Sequence, residues 1–327
     1  MMIDIYSHIL PARFKEAFAK RAGPGYQPAD PTPRPALGDI AARLAMLDRF
    51  EGLVQVLTPT GPCLERDVSP EDSPYLARLF NDEMAGLVRQ HPGKFVAAVA
   101  CLPLNDIPVT LKEIDRAINE LGFKGILMNT PLNGKPLDSP ELMPVYERMS
   151  HYDLPIWLHP NRPAFPDYDG ETRSRYHLFL VLGWPYETSL AMARLVCSGV
   201  LERYPNLKFI THHAGAMIPF FADRIAGSFE SAGISHQPPF QHTPPLDYFR
   251  RFYNDTALYG SPAGLTCAYE FFGPGKLLFG TDMPYGPEGG ESYIRMTIDA
   301  LAAMNIPQAD KEMILAGNAR QLLRLGQ

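Results

Sequence analysis

The sequence lacks the features that would assign it to a membrane, a secretory route or nucleic acid. No apolar run approaches the ~20 residues that a membrane helix needs, and the chain does not open with the basic segment and apolar core of a secretory signal. Lysine and arginine form no cluster, and the formal net charge is −6. A strongly basic surface is therefore not expected, and we predict that the protein binds neither nucleic acid nor a membrane.

Cysteine is scarce, and its spacing excludes the common paired motifs. The four residues are scattered along the chain and no CxxC pair occurs. This usage predicts reduced thiols and a cytoplasmic location. The residues concerned are Cys63, Cys101, Cys197 and Cys267.

Strand-like runs alternate with helical spacing along the whole chain. Short apolar or β-branched runs begin near positions 3, 52, 94, 123, 155, 207, 251 and 276, and apolar residues at helical spacing fill most of the intervals. Eight strands alternating with helices predict an α/β fold, the (β/α)8 TIM barrel. An open doubly wound sheet is the alternative, but no glycine-rich phosphate fingerprint follows the first strand.

A chain of 327 residues fits one such barrel, so we predict a single domain over 1–327. Two stretches are expected to be loop insertions over the C-terminal face of the barrel, at 9–36 and 233–250. Within the first of them, residues 23–35 are rich in proline and glycine and are expected to cover the site.

Four of the predicted strands deliver a histidine or an aspartate at their C-terminal ends. MIDIYSHILP places Tyr6 and His8 there, PIWLHP ends in His159, FITHHAG delivers His213, and KLLFGTD ends in Asp282. A barrel presents its chemistry at these ends, so the side chains are expected to converge. Two histidines and one carboxylate with open positions form a common catalytic zinc shell, which manganese would also suit. We therefore predict one divalent ion on His8, His159 and Asp282, with zinc preferred.

The two adjacent histidines are expected to differ in role. Side chains alternate along a strand, so His212 is predicted to lie on the side opposite His213 and to be structural. Asp255, at the end of the seventh predicted strand, either orients the site or caps the next helix.

The chain resembles the amidohydrolase superfamily, in the branch that contains aminocarboxymuconate semialdehyde decarboxylase and gamma-resorcylate decarboxylase. The resemblance covers nearly the whole chain and rests on an ordered set of motifs. It implies an amidohydrolase-like barrel and a metal-dependent decarboxylase that acts on an aromatic or unsaturated carboxylic acid. The motifs are IDIYSHILP, LGFKGILMNT, PIWLHP, WPYETSLAMARLVCSGVLERYPNLKF, HHAGAMIPFFADRI, FGTDMPYG and ILAGNARQLL.

The resemblance also implies residue roles. His8, His159 and Asp282 match metal ligands, and His213 matches a histidine that serves the decarboxylases as catalytic acid and base. Arg224 matches an arginine that binds substrate carboxylate from a neighbouring subunit, which implies a homodimer or a higher homo-oligomer.

Two further side chains are candidates for substrate binding. Arg162 would hold a carboxylate of the substrate, and its alternative is a surface ion pair. Trp184 would stack on the substrate, and its alternative is packing within the barrel.

Tyr6 departs from the family pattern, because relatives carry His at this position or, in gamma-resorcylate decarboxylase, Glu. Three interpretations follow: a phenolate ligand, a hydrogen-bonding partner of bound water or substrate, or the remnant of a lost metal site. We favour the second and treat Tyr6 as a catalytic candidate. A phenol beside a divalent ion can donate a hydrogen bond and can move a proton if its pKa falls.

Two other function classes stay open at this point. A metal-dependent hydrolase would use Asp282 as the base for water attack on a lactone or ester. A degenerate barrel would bind an acid without turning it over. Metal content separates the degenerate barrel from the two enzymes, and release of carbon dioxide separates the decarboxylase from the hydrolase.

Overall fold

The computed structural model describes residues 1–23, 26 and 32–326. In this part of the chain, parallel strands alternate with helices and lie in two sheets, one of order β1–β2–β3 and one of order β4–β5–β6–β7. The strands are β1 (Met2–Ile9), β2 (Leu53–Pro59), β3 (Phe95–Ala98), β4 (Ile126–Thr130), β5 (Ile156–Pro160), β6 (Phe209–Thr211) and β7 (Tyr253–Asn254).

Helices fill the intervals between the strands, as the apolar spacing predicts. Of the described helices, none combines the length and the apolar character that crossing a bilayer requires. The α-helices are α1 (Ala12–Ala19), α2 (Ile40–Leu47), α3 (Leu64–Asp67), α4 (Ser73–Gln90), α5 (Ile107–Asn119), α6 (Met143–Tyr152), α7 (Leu178–Val181), α8 (Gly183–Cys197), α9 (Val200–Arg203), α10 (Ile218–Ser231), α11 (Pro245–Phe249), α12 (Pro262–Phe272), α13 (Glu291–Ala303), α14 (Gln308–Glu312) and α15 (Asn318–Leu323).

Short helical turns of other types complete the secondary structure. A π-helical segment, Met313–Gly317, separates α14 from α15. The 3₁₀ turns are Pro35–Leu37, Pro140–Leu142, Ile234–His236, Pro274–Lys276 and Glu288–Gly290.

Single parallel bridges join the two sheets at both edges. Ala100 pairs with Ile126 on one side. On the other side, residues 277–283, here called the eighth segment, lie between β7 and β1, with bridges from Leu277 to Asn254 and from Met283 to Ser7. Eight parallel segments in this order, alternating with helices, are the architecture of the predicted (β/α)8 barrel.

The prediction that KLLFGTD forms a regular eighth strand is wrong. The N–H of Phe279 donates to the carbonyl of Ile314 rather than to a neighbouring strand. Asp282 has φ 65°, a left-handed conformation that a strand does not accommodate. The segment nevertheless occupies the eighth place, because the N–H of Asp282 donates to the carbonyl of Tyr6 in β1.

The segments predicted to be loop insertions contain short helices. The first, 9–36, includes α1, and the second, 233–250, includes a 3₁₀ turn and α11. The prediction that 23–35 covers the site falls largely on residues 24–25 and 27–31, which lie outside the described residues.

An apolar cluster fills the interior of the barrel beneath the strand ends. Ile3, Ile5 and Tyr6 of β1 pack there with Trp157 of β5, and α15 contributes Leu322. The indole N–H of Trp157 donates to the carbonyl of Ile5 at 3.0 Å, which links β5 to β1 across the interior. A second, larger cluster packs the outer faces of the strands against the helices.

A buried carboxylate connects β1 to the eighth segment. Asp4 Oδ1 accepts hydrogen bonds from the N–H groups of Tyr6 and Thr281, both at 3.1 Å, and Oδ2 accepts from the Thr281 hydroxyl at 2.6 Å. Burial raises the pKa of Asp4 to about 7, although these hydrogen bonds and the charge of the buried Arg43 act in the opposite direction. Asp4 therefore contributes to the stability of this seam in a way that depends on pH.

Asp4→Asn is predicted to weaken the pH dependence of stability. The folded-state pKa lies above the ordinary value of 3.8, so the stabilisation by Asp4 is full at low pH and is lost as pH rises through about 7. Asparagine imitates the protonated acid, because its oxygen can accept from both N–H groups while its amide donates to Thr281. The free energy of unfolding, measured in urea with a chelator at about pH 5 and about pH 8, should fall more in the wild type than in Asp4→Asn.

The exposed carboxylate of Asp223 on α10 supplies the matched control for this measurement. Asp223→Asn should keep the wild-type dependence on pH. If the free energy of unfolding decreases equally in the wild type and in Asp4→Asn between these two pH values, Asp4 does not titrate in this range.

Candidate active site

The strand ends bring the predicted metal-binding side chains together. His8 Nε2 lies 3.2 Å from Asp282 Oδ1, and the rings of His8 and His159 are 5.1 Å apart. His8 is fully buried and Asp282 is 6% exposed. The convergence predicted from the sequence therefore occurs at the C-terminal ends of β1, β5 and the eighth segment.

A bulge in β1 sets the direction of the side chains that follow it. The register between β1 and β2 shifts between Asp4 and Ser7, and such a bulge re-aims side chains beside active sites. Ile3, before the bulge, and Ile5 and Tyr6, within it, all lie in the interior cluster. The ring of His8, two residues further on, lies 5.5 Å from that of Tyr6.

His212 belongs to the same cluster, so the prediction that it lies opposite His213 is wrong. Its Nε2 is 3.3 Å from Asp282 Oδ1, and its ring stacks on that of Tyr6 with centroids 3.9 Å apart. The cause is local: β6 ends at Thr211, and His213 has φ 59°. The alternation of a strand therefore does not extend across the two histidines.

Asp255 orients His212. Its Oδ2 accepts a hydrogen bond from His212 Nδ1, and its Oδ1 accepts from the N–H groups of Ala214 at 3.0 Å and Ala257 at 3.1 Å. A carboxylate held in this way determines which ring nitrogen carries the proton. Of the two predicted roles for Asp255, orientation is confirmed, because the side chain of Ser261 caps α12.

Two overlapping groups of side chains fit a metal ion. The first is His8, His159 and His212, and the second is His212, His213 and Asp282; in each, one ligand atom per residue lies within 4.8 Å of the others. Although it lies 3.2 Å from Asp282 Oδ1, the buried His8 Nε2 forms no hydrogen bond of good geometry among the described residues. Imidazole and carboxylate ligands suit zinc and other first-row divalent ions, so the donor set fits such an ion.

The charges of the cluster are strongly coupled. Burial lowers the pKa of His212, but the carboxylates of Asp255 and Asp282 outweigh it and raise that pKa to about 10. Burial raises the pKa of Asp282, yet His212 and His8 bring it well below its usual range. Burial, followed by electrostatic interaction with the neighbouring imidazoles of His8 and His212, lowers the pKa of His159 well below its usual value, so its imidazole is neutral and available as a ligand.

His213 is chemically distinct from its neighbour. Its ring stacks on that of His212 at 3.8 Å, and in the described part of the chain its buried Nδ1 lacks a hydrogen-bond partner. Burial and then the charge of His212 lower the pKa of His213 to about 4. His213 is thus a neutral imidazole at neutral pH.

Tyr259, which the sequence did not single out, binds the second carboxylate oxygen of Asp282. Its hydroxyl donates to Asp282 Oδ2 at 2.9 Å, and its ring stacks on that of Tyr293 at 4.0 Å. The only signal for Tyr259 is its position in the loop after β7, where a barrel carries site residues.

A second aromatic residue adjoins His8. The ring of Tyr285 lies 5.4 Å from that of His8, and its hydroxyl is hydrogen-bonded to Thr60 Oγ1 at 2.8 Å. The guanidinium of Arg34 lies over this ring, 4.6 Å from its centroid. The structure therefore places the guanidinium of Arg34, a residue that the sequence did not single out, beside the cluster of histidines and Asp282.

The candidate substrate-binding residues lie in two places. The ring of Trp184 is 5.4 Å from that of His159, and its N–H donates to the carbonyl of Arg162 at 3.2 Å. The Arg162 guanidinium lies 3.6 Å from Glu187. Arg224, in contrast, is on the exposed face of α10 and lines a surface depression.

The hydroxyl of Tyr6 forms a hydrogen bond inside the barrel. The hydroxyl donates to the carbonyl of Leu158 at 2.8 Å, and the side chain is fully buried. Burial, followed by the charges of Asp255 and Asp282, raises the pKa of Tyr6 well above its usual value, which disfavours a phenolate. The catalytic role of Tyr6 stays a prediction.

Comparison with known proteins finds one family of enzymes. The amidohydrolase family matches residues 3–325. The chain is 30% identical over 287 residues to 2-amino-3-carboxymuconate-6-semialdehyde decarboxylase of Dictyostelium discoideum, a match that covers 88% of this chain and 77% of that one.

Two solved structures are similar over nearly their whole length. The first is 5-carboxyvanillate decarboxylase from Sphingomonas paucimobilis, with a TM-score of 0.81, 27% identity and 99% of both chains covered. The second is dihydroxybenzoic acid decarboxylase from Polaromonas sp. JS666, with bound manganese and the inhibitor 2-nitroresorcinol. Its TM-score is 0.78 and its identity 25%, with 100% of this chain and 97% of that one covered.

Tyr6→Phe is predicted to lower stability and leave metal content unchanged. The substitution keeps the ring on His212 but leaves the buried carbonyl of Leu158 without its donor, which costs about 1–3 kcal/mol. The free energy of unfolding in urea measures the first effect, and elemental analysis after purification measures the second.

Tyr176→Phe, at a tyrosine that is 83% exposed, serves as the control and should have wild-type stability. Loss of metal from Tyr6→Phe would show instead that the phenolic oxygen is a ligand. Lost turnover in a variant of wild-type stability and metal content would support the catalytic role.

Proposed function

The chain belongs to the amidohydrolase family, and we propose that it is a metal-dependent decarboxylase of an aromatic or unsaturated carboxylic acid. One observation carries the proposal: strand ends far apart in sequence form a single, largely buried cluster of histidine and aspartate, in which each of two overlapping groups has its ligand atoms within 4.8 Å of one another. The three relatives described above are all decarboxylases by name, which supports the reaction class.

His8, His159 and Asp282 hold one divalent ion in this proposal. When bound, the ion supplies a positive centre that fixes the carboxylate and an adjacent oxygen of the substrate. Zinc is our expectation from the ligand types. The alternative is manganese, which the Polaromonas enzyme contains.

His213 supplies the proton that replaces the lost carboxyl group on carbon. The carbon–carboxyl bond breaks to release carbon dioxide, and the ring or vinyl carbon gains one proton. His213 is neutral in the free site, but a bound anion raises the pKa of a nearby imidazole. Entry of the substrate therefore favours protonation of His213, which then delivers the proton to carbon.

Trp184 and two arginines would position the substrate. The indole beside His159 offers an apolar surface to a planar acid. Arg162 and Arg34 supply positive charge for an anionic group, since guanidinium binds carboxylate in a bidentate manner. Arg162 shares its charge with Glu187, and Arg34 lies over the ring of Tyr285 beside His8.

The active unit in this proposal is a homodimer. Phe220 is 78% and Phe221 39% exposed on α10, and Leu190 on α8 is 38% exposed. The N–H of Met217 donates to Ser189 Oγ at 2.9 Å, which holds the start of α10 against α8. Exposed apolar side chains on two adjoining helices fit a subunit interface, and Arg224 on the same helix would then face the partner.

We also propose a cytoplasmic location. All four cysteines are free thiols, which suits a reducing compartment.

The reaction is tested by carbon dioxide release. The metal-loaded protein is offered dihydroxybenzoic acid, 5-carboxyvanillate and 2-amino-3-carboxymuconate semialdehyde, with a lactone and an aryl ester in parallel. At least one acid should release carbon dioxide, and removal of the metal by a chelator should abolish the release. Hydrolysis of the lactone or ester without carbon dioxide would favour a hydrolase, and binding of acids without turnover would favour a degenerate barrel.

His213→Ala is predicted to lower kcat by ~100- to 10,000-fold, the usual contribution of general acid–base catalysis, and to retain the metal. His236→Ala is the matched control, because this histidine is exposed and pairs with Glu230; its kcat should equal that of the wild type. Wild-type kcat in His213→Ala would remove His213 from the reaction.

Phe220→Asp is predicted to dissociate the dimer, because a carboxylate would be buried at the proposed interface. Sedimentation velocity should give a dimer for the wild type and a monomer for the variant at the same concentration. Tyr75→Asp, at another exposed aromatic residue on α4, should stay dimeric. A wild-type protein that is monomeric and fully active would contradict the proposal.

A further inference from the structure

We propose that His212 is a ligand of the metal ion together with His8, His159 and Asp282, and that Asp255 and Tyr6 are its positioning residues. The inference rests on the proposed function only in requiring a divalent ion; it does not depend on the reaction that the ion serves.

The overlap of the two ligand groups is the main argument. His8 and His159 belong to one group and Asp282 to the other, and His212 is a member of both. His8 Nε2 and His212 Nε2 approach the same oxygen, Asp282 Oδ1, at 3.2 and 3.3 Å. An ion held by His8, His159 and Asp282 would therefore lie beside the Nε2 of His212.

The hydrogen bond to Asp255 prepares His212 for this role. A carboxylate can only accept, so Nδ1 of His212 carries the proton and the lone pair of the neutral ring is on Nε2. Metal-ligating histidines commonly donate their other ring N–H to a carboxylate in this way. Asp255 is itself fully buried and is held by two backbone N–H groups, so the orientation of the ring is well determined.

Tyr6 fixes the plane of the same ring. The two rings lie 3.9 Å apart and within 9° of parallel, so the imidazole cannot tilt toward the floor of the barrel. The Tyr6 hydroxyl binds the carbonyl of Leu158, the residue before His159. Tyr6 therefore links β5, which carries His159, to the imidazole ring of His212.

A competing role for His212 makes the opposite prediction. As an imidazolium between Asp255 and Asp282, it would neutralise the two carboxylates and repel a cation. Its removal would then leave metal affinity unchanged or increase it, whereas removal of a ligand must decrease it.

The experiment measures Zn²⁺ and Mn²⁺ affinity by competition with a chelator. His212→Ala is expected to lose more affinity than the ~10–100-fold that is typical when an outer hydrogen-bonding partner is removed. Asp282→Ala removes a predicted ligand and should lose affinity to a similar extent. His236→Ala, at the exposed histidine, should bind as the wild type does.

Asp255→Asn provides a variant that retains the local structure. Its amide oxygen can still accept from Ala214 and Ala257, but its amide N–H would donate to His212 Nδ1 and move the ring proton to Nε2. A protonated Nε2 cannot ligate, so affinity should fall by ~10–100-fold. Replacement of the metal by Co²⁺ adds a spectroscopic readout, because its visible absorption should change in both variants if a nitrogen ligand is lost.

Metal affinity that is unchanged or higher in both His212→Ala and Asp255→Asn, with an unchanged Co²⁺ spectrum, would overturn the inference. Circular dichroism verifies that the variants fold. Carbon dioxide release distinguishes the failure of this inference from the failure of the proposed function. If metal affinity depends on His212 but no acid is decarboxylated, His212 is a ligand and the proposed reaction is wrong. If the wild type decarboxylates an acid but its metal affinity does not depend on His212, the reaction is supported and the ligand role of His212 is wrong.

Discussion

Asp282 is the group on which the site depends. One oxygen approaches both His8 and His212, and the other accepts the hydroxyl of Tyr259. A buried carboxylate is costly unless it is paired and hydrogen-bonded, and here contacts from β1, β6 and the loop after β7 satisfy it. Three parts of the barrel that are remote in sequence are thereby tied to one residue at the end of the eighth segment.

The arrangement around Asp282 suits a cation. Several imidazoles and two carboxylates lie within a few ångströms of one another in a largely buried site, where electrostatic interactions are strong. Asp255 and the backbone N–H groups that hold it supply the orientation, and Tyr6 supplies a flat surface beneath His212. The chain belongs to the amidohydrolase family, and the decarboxylase names of its relatives support the function proposed for this centre.

Tyr6 lies at a position where the resemblance to the decarboxylase branch implies a metal ligand. Its aromatic ring packs in the interior cluster and against His212, and its hydroxyl completes the hydrogen bonding of β5. These contacts are structural, so a departure at a ligand position does not by itself remove the metal site. In the ligand set that we propose, His212, which lies at the end of another strand, provides an imidazole in its place.

Local patterns in the sequence determined much of the fold. Helical spacing predicted helices between the strands, as observed, and strand ends predicted the convergence of His8, His159 and Asp282. Apolar periodicity and strand order act over short ranges, so they can be read from the chain alone. Only the tertiary structure decided the direction of His212, the hydroxyl partner of Tyr6, and the contact of Tyr259 with Asp282. Each depends on a left-handed residue, a bulge or a loop that brings together atoms distant in sequence, and no periodicity encodes these.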